Sequence, residues 1–346
     1  MVMLYLHFFL AMTLSPMNAA EAALVPTDII SETSYIPQNK EITVTAVGDN
    51  TIGTDISFGY PGSFIQEIDY NGIEYPYQNV AEIFLNDDLT IANLETTLTD
   101  STKRAVKTFK FAGKPEYRDM LKNCGIDAVN LANNHIMDYL EQGYYDTLAN
   151  LDEVGMGYFG EDIKLVREIK GVNIGMLGYG GWSNNTALKN RISKDIAELR
   201  EQANSNIVIV SFHWGKEGSN YADFVQKDLG RFSIDCGADL VLGHHPHVIQ
   251  GIENYNGRNI VYSLGNFVFG GNRNPRDKDT FIFQQKFMVS PEGELTLAEP
   301  KIIPSSVSSV NWRNNYQPII LEGEVGERVL NRLRVYSNAL DFGLQF

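Results

Sequence analysis

Five of the six histidines, His135, His213, His244, His245 and His247, stand in polar turns that directly follow short apolar runs. The same turns carry Asp49, Asn93, Glu95, Asn133 and Asn134. Imidazole, carboxylate and amide oxygen make a hard-to-borderline donor set, which suits Zn, Mn, Fe or Mg and does not suit copper–thiolate chemistry. Neither Cys124 nor Cys236 lies in these turns. The spacing His245-x-His247 at the end of an extended strand puts two rings on one side, where both can face one metal pair. Such a set activates water and polarises an ester, phosphoester or amide. A lone histidine is more often structural than a ligand, so the weight rests on five histidines sharing one kind of position.

The elements that must position them alternate. Apolar runs at Ile42–Val47, Leu89–Ala92, Ala128–Leu131, Ile207–Phe212, Leu240–Leu242 and Ile260–Leu264 read as strands buried on both faces. Between them, Pro115–Cys124, Glu141–Val154, Ser193–Ala203 and Asn220–Cys236 read as helices, three of them ending before a glycine. The alternation predicts an α/β layered domain. Cys124-Gly125-Ile126-Asp127-Ala128-Val129 rhymes with Cys236-Gly237-Ala238-Asp239-Leu240-Val241, one αβ turn used twice, with each cysteine a small buried thiol at a helix end. The polar turns all follow the carboxyl ends of strands, where loops of an α/β sheet converge on ligands.

The ordered string Gly48-Asp49, Asn93-Leu94-Glu95, Ala132-Asn133-Asn134-His135 with Asp138, His213-Trp214-Gly215, Gly243-His244-His245-Pro246-His247 and Tyr262-Ser263-Leu264-Gly265-Asn266-Phe267 resembles the CapA/PgsA family of bacterial capsule and poly-γ-glutamate synthesis proteins, itself similar to calcineurin-like metallophosphoesterases. The resemblance covers roughly residues 41–271. It implies a metallophosphoesterase-like four-layer sandwich of two mixed β-sheets flanked by helices, with a site for one or two divalent metal ions (Mn, Zn, Fe or Mg) at one edge. By that resemblance the metal ligands are Asp49, Glu95 (or Asn93), Asn134, His213, His245 and His247, with His244 a competitor in the last motif. His135, with Asp138, is the residue that assists the leaving group or the transition-state charge. Asn93, Asn133, His244, Asn266 and the basic pair Lys103 and Arg104 are expected to bind substrate. Two departures stand out: Thr51 occupies the place of a family histidine, and Asn-Leu-Glu replaces Gly-Asp. One metal, two or none remain open on this reading. So do a role in polymer synthesis or export, a metal-dependent phosphoesterase or amide hydrolase, and a metal-free polymer-binding subunit.

Lys plus Arg number 28 against 43 Asp plus Glu, a net charge of −15, which argues against nucleic acid as a partner. The expected partners are an anionic polymer or phosphate-containing substrate and a membrane synthesis complex. Two basic clusters, one over Lys103–Arg118 and one at Arg273, Arg276 and Lys278, follow proposed site loops; each reads either as a solvated charged face or as a local anion attractor. Residues 1–22 read as a signal peptide or anchor: Val2–Leu14 is largely apolar and Ala20-Glu21-Ala22 fits a cleavage site, although no basic residue precedes the run. The expected location is therefore exported, at the cell surface, in the periplasm, or anchored in the membrane facing outward. Residues 23–40 then form a linker, 41–304 the domain, and 305–346 an extension with a docking helix over Val325–Leu340. Ser57–Tyr77 reads as a loop at the site edge, and Trp182 as loop filler.

Overall fold

The computed structural model describes residues 38–346, so the leader expected over 1–22 lies outside the described residues. Two large mixed sheets form the centre. The first runs Ile319–Ile320, Lys301–Ser306, Asp279–Val289, Lys40–Thr51, Leu89–Leu94, Ala128–Asn130, Gly157–Phe159, with Asn266–Phe269 paired to the end of Lys40–Thr51 and Leu295–Leu297 to Asp279–Val289. The second runs Ile252–Tyr255, Arg258–Val261, Leu240–His244, Ile207–Trp214, Val172–Gly181, Leu165–Ile169. The inner neighbours are parallel in both sheets, so their carboxyl ends share an edge. A small third sheet joins Thr54–Asp55, Phe111–Gly113 and Thr97–Leu98.

Strand alternation sorts the apolar side chains into layers. Ile207 and Ile209 face inward, where they meet Ile42, Val44 and Ile91 of the other sheet. Their neighbours Val208 and Val210 face outward against Ile192, Ile196 and Leu199 of the helix Thr186–Glu201 and Leu229 of Phe224–Asp235. Beyond the first sheet, Ala92, Leu94 and Val129 pack on Phe84, Met120, Leu121 and Leu151 from the helices on that side. The order is helix, sheet, sheet, helix, the expected four-layer α/β sandwich. Each fully buried Leu, Ile or Phe contributes about 2 kcal/mol, and no helix among the described residues is long and apolar enough to cross a membrane.

Three local expectations are corrected. The helix expected to begin at Ser193 begins at Thr186, capped by Asn185, whose side chain accepts the Leu188 N–H at 2.9 Å; its first turns face solvent and lack an apolar rhythm. The helix expected from Asn220 starts at Phe224, where Asp223 and Gln226 form a reciprocal capping box. Ser57–Tyr77, read as a loop, holds the helix Phe64–Asn71, capped by Ser63 and anchored by buried Phe64 and Ile68 one turn apart. At the other end, the Lys301–Ser306 strand runs across residue 304, and the helix Gly323–Asn338 sets Val329 and Leu333 into the core between the sheets.

Candidate metal centre

The site is built where both sheets end. Asp49 lies near the end of the first strand, and its own N–H is held by the Gly265 carbonyl at 2.9 Å. That contact requires glycine next door: a Cβ on Gly48 would lie 1.9 Å from the Gly265 oxygen. The second sheet repeats the device, since a Cβ on Gly243 would lie 2.0 Å from the Tyr262 oxygen. Backbone therefore packs on backbone immediately before Asp49 and before His244.

Glu95 stands between two groups of donors. It is fully buried, and neither carboxylate oxygen has a hydrogen-bond partner among the described residues. On one side, His213 Nε2 lies 3.4 Å from Glu95 Oε1, 2.8 Å from Asn134 Oδ1 and 3.1 Å from His245 Nδ1. On the other, His247 Nε2 lies 3.9 Å from Glu95 Oε1, while His247 Nδ1 is 3.3 Å from Asp49 Oδ2 and 2.9 Å from Asn266 Oδ1. Glu95, His245 and His247 each offer a ligand atom within 4.8 Å of the others. His244 joins the Asp49 side, its Nδ1 3.5 Å from Asp49 Oδ1. The additional histidine of Gly-His-His-Pro-His thus crowds the aspartate that lacks a histidine at position 51.

His245 and His247 both have positive φ, +93° and +58°. Left-handed backbone is costly for residues with a Cβ and collects at functional sites. Here it turns both rings back over the strand ends, one toward His213 and one toward Asp49.

Burial and charge pull against each other in this cluster. Burial alone would raise the Asp49 carboxyl, but the His244 and His247 imidazoles override it and hold it well below the usual carboxylate range. Burial pushes the Glu95 carboxyl up to about 7 against the pull of His247. Burial holds His213 well below the usual imidazole range, and burial with the neighbouring His213 brings His245 down to about 3. Against its burial, the Glu95 and Asp49 carboxylates hold His247 up to about 10, so His213 and His245 are in the neutral state a divalent cation needs from its ligands, while His247 would release a proton on binding one. The orphaned Glu95 oxygens and the meeting of Asn134, His213 and His245 on one point fit such a cation.

His135 faces the same centre, its Nε2 4.0 Å from Glu95 Oε1. Its Nδ1 is held at 2.6 Å by Asp138 Oδ2, and the Phe111 ring packs against it at 4.5 Å. Asp138 is also fixed by the Phe111 N–H at 2.7 Å and by Lys107 Nζ at 2.7 Å.

The remaining expected residues divide. Asn93 is buried behind the site, donating to Asp49 Oδ1 at 2.8 Å and accepting from Asn130 Nδ2 at 2.9 Å. Asn133 donates to the Leu94 carbonyl at 2.8 Å and accepts the His135 N–H at 3.0 Å. Both amides are spent on shaping the site, which leaves them little to offer a substrate. Lys103 and Arg104 are exposed; the basic side chain of that cluster that reaches the centre is Lys107, which also donates to the Asn134 carbonyl at 2.7 Å. Trp182, read as filler, is half exposed and stands edge-on to His245, centroids 4.8 Å apart, and to His213 at 5.8 Å. Its position just past the strand Val172–Gly181, at the same sheet edge as the histidines, was the available signal.

A family model described as bacterial capsule synthesis protein PGA_cap matches residues 43–271. The capsule biosynthesis protein CapA of Bacillus anthracis is 32% identical over 274 residues, covering 71% of this chain and 64% of that protein. The PGA biosynthesis protein CapA of Bacillus subtilis (strain 168) is 37% identical over 231 residues, 60% of each chain. The matches thus span less than two thirds of these relatives' length. A solved structure, TT1561 of Thermus thermophilus, aligns with a TM-score of 0.38 and 10% identity over 75% of this chain and 99% of that one. With most of the described chain matched by the family model, and the family's motifs gathered at one edge of the fold, this chain belongs to the bacterial capsule synthesis protein PGA_cap family.

Proposed function

We propose that this protein is exported and acts in the synthesis or export of an anionic capsule polymer of the poly-γ-glutamate kind, with a divalent-metal hydrolytic site as its working part. The observation that carries the reading is Glu95, a fully buried carboxylate with both oxygens unpartnered among the described residues and imidazoles on either side. A buried carboxylate without a hydrogen-bond donor is costly unless it takes a proton or faces a cation, and its raised pKa shows that cost; a divalent ion between the imidazoles would relieve it. Asn134, His213 and His245 would hold one ion with Glu95; Asp49 and His247 would hold a second. Divalent ions supply Lewis-acid polarisation of a substrate oxygen and acidify water.

The chain's own residues then set the geometry. Asp138 takes the Nδ1 side of His135, which leaves Nε2 facing the centre to give or take a proton at a leaving group. Lys107 and the Phe111 N–H keep Asp138 in place. Asn266 and Asp49 orient His247, and Asn93 orients Asp49. Trp182 stands edge-on to His245 and His213 at the solvent side of the cluster.

The test is metal content by mass spectrometry on the purified protein after incubation with Mn, Zn or Fe, together with the chain length of poly-γ-glutamate and the turnover of a phosphodiester. One or two equivalents of metal, lost in Glu95→Gln, with cleavage of either substrate lost in His135→Ala, is the expected result. A protein that binds no ion, or whose bound ion survives Glu95→Gln, would sink the metal reading.

A further inference from the structure

Away from the histidines, a cavity of about 710 Å³ lies between the loop before Asp279–Val289, the segment after Lys301–Ser306 and the helix Gly323–Asn338. That volume is in the range of ligand sites. Its floor is an ion-pair network. Arg328 forks onto Asp279 at 2.5 Å through both terminal nitrogens, and Arg332 reaches Asp277 at 2.9 and 2.6 Å and also contacts Asp279. Each of these two arginines is matched by an aspartate, so the floor is rigid and near neutral.

Arg276 and Lys278, on the same wall, are not matched. Among the described residues Lys278 Nζ touches only neutral groups, Asn274 Oδ1 at 2.7 Å, the Asn311 carbonyl at 3.3 Å and the Pro275 carbonyl at 3.4 Å, and its charge is held in place without a counter-ion from them. Arg276 is exposed and makes no ion pair or hydrogen bond among the described residues. The nearby hydroxyls of Ser306 and Ser308 donate to backbone carbonyls. The cavity therefore presents two cations that no described residue compensates, on a chain whose net charge is −15.

Its placement matters. Ala46 pairs with Phe283 in the antiparallel ladder, which brings the start of the Asp279–Val289 strand to the end of the sheet that carries Asp49. Thr280, next to Asp279, donates to the Leu264 carbonyl at 2.9 Å, beside the Gly265 that holds the Asp49 N–H. Cavity and candidate metal centre thus share one edge of the fold.

From this placement and charge we infer that the cavity is an accessory binding site for an acidic polypeptide, taking its pendant carboxylates (the free α-carboxylates of a γ-linked chain) on the Arg276 guanidinium fork within the field of Lys278. The inference rests on the reading that the protein handles an anionic polymer, and gives that polymer a second contact outside the metal centre.

The test is fluorescence anisotropy with fluorescein-labelled γ-linked hexaglutamate at low ionic strength, with inorganic phosphate as competitor. The variants are Arg276→Gln with Lys278→Gln, Arg276→Gln alone, and His213→Ala. Binding that weakens by about ten-fold in the double variant, the worth of one charge-assisted hydrogen bond, at unchanged Tm, is expected whether or not His213→Ala also weakens it. Arg276→Gln alone removes an exposed side chain and carries most of that loss. Loss in His213→Ala with the double variant silent would place the polymer at the histidines and overturn the accessory site, leaving the proposed function intact. Phosphate binding that the double variant abolishes, with no hexaglutamate bound, would make the cavity a phosphate site and overturn the carboxylate assignment. Binding of neither probe also overturns it, while the proposed function is judged separately by metal content and cleavage.

Discussion

The segments Cys124–His135 and Cys236–His247 build the same turn in opposite sheets. In each, a cysteine ends a helix and a glycine with φ of +91° or +107° reverses the chain. In each, an aspartate then clips onto the neighbouring strand. Asp127 donates its N–H to the Thr90 carbonyl at 3.0 Å and accepts the Thr90 N–H on Oδ2 at 2.9 Å. Asp239 does the same with Val208, at 2.8 and 2.9 Å. The difference lies in charge. Asp239 is gripped by Arg200 at 2.5 Å and Arg258 at 3.1 Å, whereas Asp127 has no ion pair among the described residues, and burial raises its pKa despite the Thr90 hydrogen bond. The turn is what a parallel sheet needs to start a strand in register; neutralising its aspartate is a separate matter that each sheet settles differently.

The two segments also deliver different donors to one centre, and removing those donors has the largest expected effect. Asn134→Ala, from the first, and His245→Ala, from the second, should each weaken metal binding by roughly 100-fold or more, beyond what loss of an orienting group costs. Calorimetric titration with Zn or Mn measures it. If Asn134→Ala binds as tightly as the wild type, the first segment supplies only His135, and the symmetry ends at the backbone.

Next comes Asp239→Asn, which keeps an acceptor for the Val208 N–H but strips two arginines of their counter-charge. Because both arginines are partly exposed, the cost should be about 2 kcal/mol in urea unfolding, below the range for a fully buried pair. Asp127→Asn, with no cation to abandon, should fall within about 1 kcal/mol of the wild type. Equal losses at the two positions would erase the distinction.

The smallest effect is a pH dependence. The folded chain holds the Asp127 proton more tightly than the unfolded chain does, so this group costs stability as pH rises above the ordinary aspartate range. Asp127→Asn should therefore gain on the wild type between acidic and neutral pH, and the gap should close below the ordinary aspartate pKa. A gap that widens on acidification would show that the Asp127 charge stabilises the fold.

How much of this was legible in the sequence varies with depth of burial. Strands such as Ile207–Trp214 are buried on both faces and announce themselves as unbroken apolar runs. Helix starts were the weak point, because Asn185 and Ser63 cap turns whose outer face is solvent, and a polar turn reads like a loop. The glycine closeness at Gly48 and Gly243 was visible only as two glycines before two polar residues. Among site residues, the gathering of Asn134, His213 and His245 rests on which strands neighbour each other, which the parallel α/β pattern constrains. The choice of Lys107 over Lys103 and Arg104 depends on which side chain of an irregular segment turns inward, and no periodicity encodes that.

The strand Lys40–Thr51 lies at the centre of the first sheet, yet its antiparallel neighbour Asp279–Val289 comes more than half the chain later, and the space between the sheets is filled in part by Val329, Leu333 and Leu344. A growing chain therefore carries most of its central strand unpartnered on one side until the residues of Asp279–Val289 are made. Such long-range pairing is slow, and the open edge is prone to aggregation until it is met. The core cannot close until the residues around Leu344 are made, which keeps the nascent polypeptide incompletely folded and within reach of chaperones up to that point.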